Sequence, residues 1–188
     1  MKNIIHRITT AAFALALMAG GAQAAEQMDK KDHEFLKKAA EINLTEMELG
    51  KIAERISTNP QIKEMAAKMV KDHTAANQEL TRLAESKGIT LPTEPTAADR
   101  REIEKMAKEQ GDKFDKSYLS FNKSGHEKAV ALFEKEAERT SDPEIKAWAQ
   151  KMLPDLKEHL TMSKHGKLES VGEKIKHPVK TLEGEEKY

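Results

Sequence analysis

Four stretches of the chain place apolar side chains at alternating steps of three and four, the spacing of one helix face turned to a core. The first, residues 29–57, aligns Phe35, Ala39, Ile42, Glu46, Leu49, Ala53 and Ile56. The second, residues 60–87, aligns Met69, His73, Ala76, Leu80 and Leu83. A third, ending near residue 139, aligns Leu119, Asn122, His126, Val130, Phe133 and Ala137, and a fourth, running to about residue 168, aligns Ile145, Ala149, Met152, Leu156, His159 and Ser163. Each seam carries an ionisable side chain where an apolar one is expected: Glu46, His73, His126 and His159.

Punctuation residues divide the chain at the same places. Asn59-Pro60 breaks the first stretch, with Pro60 suited to the first position of the next helix. Gly88 closes the second, and "ITLPTEPTA" then reads as the one long connection, a loop with two prolines. A short helix over residues 97–110 follows, then Gly111 and the third long helix. In "TSDP", residues 140–143, Ser141 or Asp142 can cap the fourth helix, with Pro143 in its first turn. The weak helix formers Asn122, Ser124 and Gly125 mark a local kink or opening beside His126, or only weak propensity.

Helices of similar length with one crossover in the middle give the fold class: all-α, a ferritin-like antiparallel four-helix bundle whose crossover connection carries a short extra helix. Few aromatics (4%) and many charges (34%) agree with a helical bundle. Packed antiparallel, such helices bring their midpoints to one level, so Glu46, His73, His126 and His159 are expected in a single layer of the core.

Burying four ionisable groups together requires mutual hydrogen bonds, a proton arrangement that keeps them nearly neutral, or a cation. Three imidazoles and a carboxylate suit zinc, copper, manganese or iron. Asp155, one turn before His159, is placed to orient that ring, and Asp72 and Asp115 are further supporting candidates. Tyr118 can supply a hydroxyl to the same interior. The same four residues also suit a satisfied polar layer that fixes helix register and holds no metal. Of the nine methionines, Met65, Met69 and Met152 occupy ordinary core positions, where methionine is a gap filler more often than a ligand.

The ends of the chain change the picture of where this bundle works. "MKNIIHRITTAAFALALMAGGAQA" has Lys2 and Arg7, an apolar run too short to remain as a membrane span, and the small-x-small pattern Ala22-Gln23-Ala24. We read residues 1–24 as a cleaved signal peptide, residues 25–169 as the bundle, and residues 170–188 as a charged tail without periodicity. No later run is apolar enough to span a bilayer. Lys2 and Arg7 are the only charged residues among the first 24, so the remainder has 30 basic against 32 acidic side chains, no footprint for nucleic acid or anionic membrane. There is no cysteine, hence no disulfide, no lipid-modified cysteine and no thiol nucleophile. The expected location is the periplasm, and outer-membrane association has no support from alternating strands.

The segments "EMELGKIA" (46–53), "MVKDHTAANQEL" (69–80), "FDKSYL" (114–119), "HEKAVALFEKEA" (126–137) and "LPDLKEHL" (153–160) together resemble the exported bacterial family catalogued as domain of unknown function 4142. The resemblance implies a ferritin-like bundle, often labelled an outer-membrane protein and without established activity. Its motifs fall on Glu46, Asp72, His73, Asp115, His126 and His159. Di-iron ferritin-like proteins carry Glu-x-x-His pairs. Here the residues three before the histidines are Val70, Lys123 and Leu156, which disfavours a di-iron oxidase and points to a mononuclear site if metal binds. "SGH" at 124–126 lacks a hydrolase setting, and no phosphate loop appears. Two functional classes remain: an exported metal-binding protein, and a non-enzymatic envelope stress or interaction scaffold that meets a protein partner. A metal-dependent oxidase or peroxidase is a weaker third.

Overall fold

A computed structural model describes residues 28–165. The signal peptide over 1–24 and the charged tail over 170–188 lie outside the described residues, as do the last residues expected for the fourth long helix.

Five helices follow in chain order: α1 (Lys30–Ile56), α2 (Pro60–Ser86), α3 (Ala97–Met106), α4 (Gly111–Arg139) and α5 (Pro143–His165). Their ends lie where capping chemistry puts them. The Asp29 side chain accepts from the Lys31 amide, and Asn59 accepts from the Gln61 amide with Pro60 in the first helical turn. Asp142, rather than Ser141, caps α5, accepting from the amides of Glu144 and Ile145. Gly88 ends α2 at φ +69°, a left-handed conformation that costs glycine little. The crossover helix is shorter than its sequence suggests. It stops at Met106, where the amides of Lys108 and Glu109 bond three residues back and tighten the chain out of the α-helix toward Gly111.

Cross-helix pairs settle the topology. Phe35 meets Phe133 (ring centroids 5.0 Å apart), Phe133 meets Trp148 (5.4 Å), and Lys151 pairs with Glu79 (2.7 Å). Near one end of the bundle, Arg139 at the C-terminus of α4 binds Asp29 and Asp32 at the start of α1, while Lys87 after α2 binds Asp142 and Glu144 at the start of α5. Thus α1 and α5 run one way and α2 and α4 the other, each helix flanked by antiparallel neighbours. The arrangement is the expected antiparallel four-helix bundle, with residues 87–110 as the crossover.

The core is divided. One cluster contains Phe35, Leu36, Leu80, Phe133, Ile145 and Trp148, and the other Leu49, Ile62, Met65, Met69, Phe114, Tyr118 and Met162. His73, His126 and His159 are buried and belong to neither, so the polar seam positions form a layer between two apolar halves. Periodicity located this face with an error of about one residue at some positions. On α4, Phe114 and Tyr118 are fully buried while Leu119 is half-buried, and on α2 Ala84 is buried beside a half-buried Leu83.

Helices α1 and α2 approach closely at Gly50. A Cβ there would lie 2.6 Å from Val70 Cγ2 and 3.2 Å from the Ala66 carbonyl oxygen. At Gly125 in α4 a Cβ would meet nothing nearer than Glu46 Oε1 at 3.5 Å, an ordinary contact. The two glycines should therefore respond oppositely to alanine. Gly50→Ala should destabilise, since overpacking costs about 1–3 kcal/mol against about 1 kcal/mol gained in helix propensity. Gly125→Ala should stabilise by up to about 1 kcal/mol. Urea denaturation of both variants checks the pair; a gain at Gly50 would mean that α1 and α2 do not pack this tightly.

Candidate metal centre

Antiparallel packing brings three of the seam positions to one point. The ring centroids of His73, His126 and His159 are 5.2 to 5.6 Å apart, and one potential ligand atom from each lies within 4.8 Å of the others. All three side chains are essentially inaccessible, at 1–2% exposure. Among the described residues they are the group of metal-ligating side chains that converges in this way.

Each ring is held by one oxygen. His73 Nδ1 donates to Asn43 Oδ1 (3.0 Å), His126 Nδ1 donates to the Asn122 carbonyl (2.8 Å), and His159 Nε2 donates to Asp72 Oδ2 (3.0 Å). An oxygen acceptor puts the proton on the nitrogen facing it, so each tautomer is set and one lone pair is left on the opposite nitrogen. Those remaining atoms, His73 Nε2, His126 Nε2 and His159 Nδ1, are buried and have no hydrogen-bond partner. Three acceptors without donors cost about 1–3 kcal/mol each when buried. Protonating the rings does not relieve this. Burial first, then His159 and His126, holds His73 well below 6.5, and burial followed by His159 lowers His126 to about 4 despite its bond to the Asn122 carbonyl. Near neutral pH these two rings are neutral, the form that binds metal.

The acids expected at this site take different places. Asp72, from α2, does the orienting expected of Asp155: it accepts from His159 and pairs with Lys68 (2.8 Å). The His159 hydrogen bond, opposed by burial and helped by Lys68, keeps its carboxylate well below 3.8. Asp155 is exposed and lines a cavity of about 20 Å³ beside His73 and His159, enough room for one water. Glu46 is buried beside the trio, with Oε1 3.9 Å from His126 Nδ1, the nitrogen already bonded to Asn122. Burial, with the charge of Asp99 adding, pushes the Glu46 carboxyl up to about 8. Asp115 and Tyr118 sit eleven and eight residues before His126, about 16 and 12 Å along the axis. Both are buried, with Asp115 Oδ1 and the Tyr118 hydroxyl unpartnered, and the Tyr118 ring stacks on Phe114 within the apolar cluster that contains Leu49 and Met69. Neither belongs to the converging group.

Sequence reasoning missed Asn43. It lies one turn before Glu46 on the same face, so a second polar residue on the α1 seam was the available signal. The weak helix formers Ser124 and Gly125 do mark an opening, since they line a cleft of about 290 Å³ between α1 and α4 that reaches Glu46 and His126. Within the described residues, no helix is long and apolar enough to cross a membrane.

The chain belongs to the family described as "Domain of unknown function (DUF4142)", whose model matches residues 17–165. Among curated proteins none matches the sequence. Three solved structures share the fold. A DUF305 fragment from Deinococcus radiodurans superposes with a TM-score of 0.65 at 12% identity, covering 73% of this chain and 95% of that one. CopM in the Cu(II)-bound form gives 0.61 at 15% identity (72% and 94% covered), and CopM in the Cu(I)-bound form gives 0.60 at 16% (74% and 96%).

A testable consequence concerns Glu46 in metal-free protein. Its carboxyl rises from 4.5 in the unfolded chain to about 8 in the folded one, so the folded state binds the extra proton between those values and loses stability as pH rises through them. Glu46→Gln, neutral at every pH, should be progressively more stable than the parent from pH 4.5 to pH 8, by up to a few kcal/mol. Paired urea titrations at pH 5 and pH 8 with chelator present measure this, and a difference that does not grow with pH would mean that Glu46 is ionised throughout.

Proposed function

We propose that this DUF4142 protein is an exported, periplasmic metal-binding protein that holds one transition-metal ion, copper being the best-supported choice, between His73, His126 and His159. The observation that carries the reading is the set of three buried ring nitrogens in one layer, each lacking a partner while the opposite nitrogen is held by an oxygen. Three neutral imidazoles with hydrogen-bonded backs are a common way of presenting nitrogen ligands to a metal. Asp72 behind His159 fixes the orientation of that ring, and the water-sized cavity beside His73 and His159 leaves room for a further small ligand.

Two features favour copper. The bundle shares its fold with CopM structures described in Cu(II)- and Cu(I)-bound forms. In addition, Met69 lies one turn before His73 and Met162 one turn after His159, both buried in the same apolar cluster. Since α2 and α5 are antiparallel, both thioethers fall on the same side of the histidine layer, and thioether and imidazole together suit Cu(I). Export rests on the leader-like residues 1–24. A buffering or storage role fits the burial of the trio, whereas no nucleophile or paired Glu-x-x-His accompanies it.

The experiment is elemental mass spectrometry of the untagged mature protein purified from periplasm, with His73→Ala and Asp72→Asn alongside. About one equivalent of copper is expected in the parent and none in His73→Ala. Asp72→Asn, which removes only the carboxylate behind His159, should weaken binding by about 10–100-fold. Absence of metal in the parent, even after reconstitution with Cu(I), Cu(II) or Zn(II), would sink the reading. The histidines would then be a buried polar layer in a bundle that acts as an envelope scaffold for a protein partner.

A further inference from the structure

The histidine layer is approached from two sides that differ greatly in room. On the α2–α5 side, the cavity touching His73 and His159 is about 20 Å³ and is walled by Phe133, Trp148 and Met152. On the α1–α4 side, the cleft is about 290 Å³, and Glu46 and His126 lie among its lining residues. The second opening leads past three features that packing alone does not require.

Glu46 is the first. It is 3% exposed, its Oε2 has no partner, and its Oε1 is 3.9 Å from a ring of the trio. A buried carboxyl group left unpaired is costly, and an apolar side chain here would simply continue the seam. Gly125 is the second. In a helix interior glycine costs about 1 kcal/mol relative to alanine, yet here it leaves the cleft wall facing Glu46 without a side chain. Asp99 is the third: α3 contributes it to the lining of the cleft, where its Oδ2 accepts from the Thr96 hydroxyl (2.6 Å). The remaining charges of the lining are Lys38, paired with Glu41 at 3.1 Å, and the exposed Lys128. The oxygen groups thus run from Asp99 on the crossover helix to Glu46 beside His126.

We propose that the cleft between α1 and α4 is the route by which a metal cation reaches and leaves the histidine layer, with the carboxyl groups of Asp99 and Glu46 serving as transient oxygen ligands on the way. The inference rests on the metal-binding reading above and adds to it a path and two residues. Oxygen ligands exchange an ion onward readily because imidazole nitrogen binds copper more strongly. Glu46 is then a hand-over ligand and not a permanent one, in keeping with its position outside the converging trio.

The test separates rate from affinity. Trp148 is the single tryptophan of the chain and lines the small cavity with His73 and His159, so quenching by CuCl₂ reports arrival of the ion in stopped-flow mixing. Gly125→Leu fills the α1–α4 cleft, and Ala76→Leu fills the cavity on the α2–α5 side. Gly125→Leu should slow loading, and release to a chelator, at least tenfold while the final stoichiometry and Kd stay those of the parent. Ala76→Leu should leave the rates unchanged. Glu46→Gln and Asp99→Asn should slow loading severalfold with little change in Kd. Ser124→Phe places bulk at the exposed rim of the same cleft, so slowing is expected there even if Gly125→Leu does not fold. Parental rates in Ser124→Phe and Gly125→Leu, or slowing confined to Ala76→Leu, would overturn the route and leave the site standing. A parent that binds no Cu(II) at equilibrium would overturn the site and the route together.

Discussion

The structure is organised around the burial of three imidazoles and a carboxyl group in one cross-section of a helical bundle. Polar groups in such a place are tolerated only when their hydrogen bonds are made or their charge is removed. Here both devices operate. The Asn43 side chain, the Asn122 carbonyl and Asp72 each accept a hydrogen bond from one ring N–H, and burial keeps His73 and His126 neutral and Glu46 protonated through most of the ordinary pH range. What the fold leaves undone is the inward nitrogen of each ring. The helices supply oxygens behind the rings, and the opposite nitrogens have no partner, an asymmetry that a bound cation would remove.

The bundle topology serves this layer. Helices α1 and α2 pack as one hairpin and α4 and α5 as another, with the tight approach at Gly50 fixing the first. The histidines come from both hairpins, so the trio forms only when the hairpins dock. The ion pairs of Arg139 and Lys87 tie helix ends at one end of the molecule, and the Phe35, Phe133 and Trp148 contacts stack beneath them. Asp32 and Glu136 are buried and Arg139 and Lys87 only partly exposed, so these pairs are screened less than surface ones. Their value lies in fixing the axial level of each helix, and the level decides whether three side chains from different helices meet. The α1–α4 seam packs less densely than the hairpins themselves, and the cleft lies there.

Much of this was legible in the chain. The seams of alternating threes and fours, the break at Asn59-Pro60, the capping candidate Asp142 and the stop at Gly88 locate three long helices and the start of the fourth within a residue or two, because these signals are local. The histidine layer was legible for a related reason: antiparallel helices of similar length align their midpoints, so position along each seam stands in for height in the bundle. What could not be read were the partners across helices. Asp155 was expected to orient His159 because it lies one turn away, but the ring turns toward α2, where Asp72 sits at the same height. A spacing along one helix gives the face of a residue, whereas the direction in which an imidazole points depends on the rotation of the neighbouring helix. The length of α3 was misjudged similarly. Residues 107–110 favour helix in composition, but the chain tightens there so that α4 can begin at Gly111, where φ is +55°.

The likeness to CopM and to the DUF305 fragment, at 12–16% identity, shows the bundle and assigns no ligating residue of this chain. One helical scaffold hosts many chemistries, and function resides in the side chains grafted on it. For this chain the weight therefore falls on the donor set. With each tautomer already fixed from behind, His73 and His126 would shed no proton to an arriving ion, and one ligand atom of each of the three rings lies within 4.8 Å of the others. The protonated Glu46 keeps the metal-free layer close to neutral, and a cation beside it would favour the charged form again. A carboxyl group that is neutral without an ion and negative beside one would offset part of the ion's charge, so the apolar clusters on either side would face little uncompensated charge in either state.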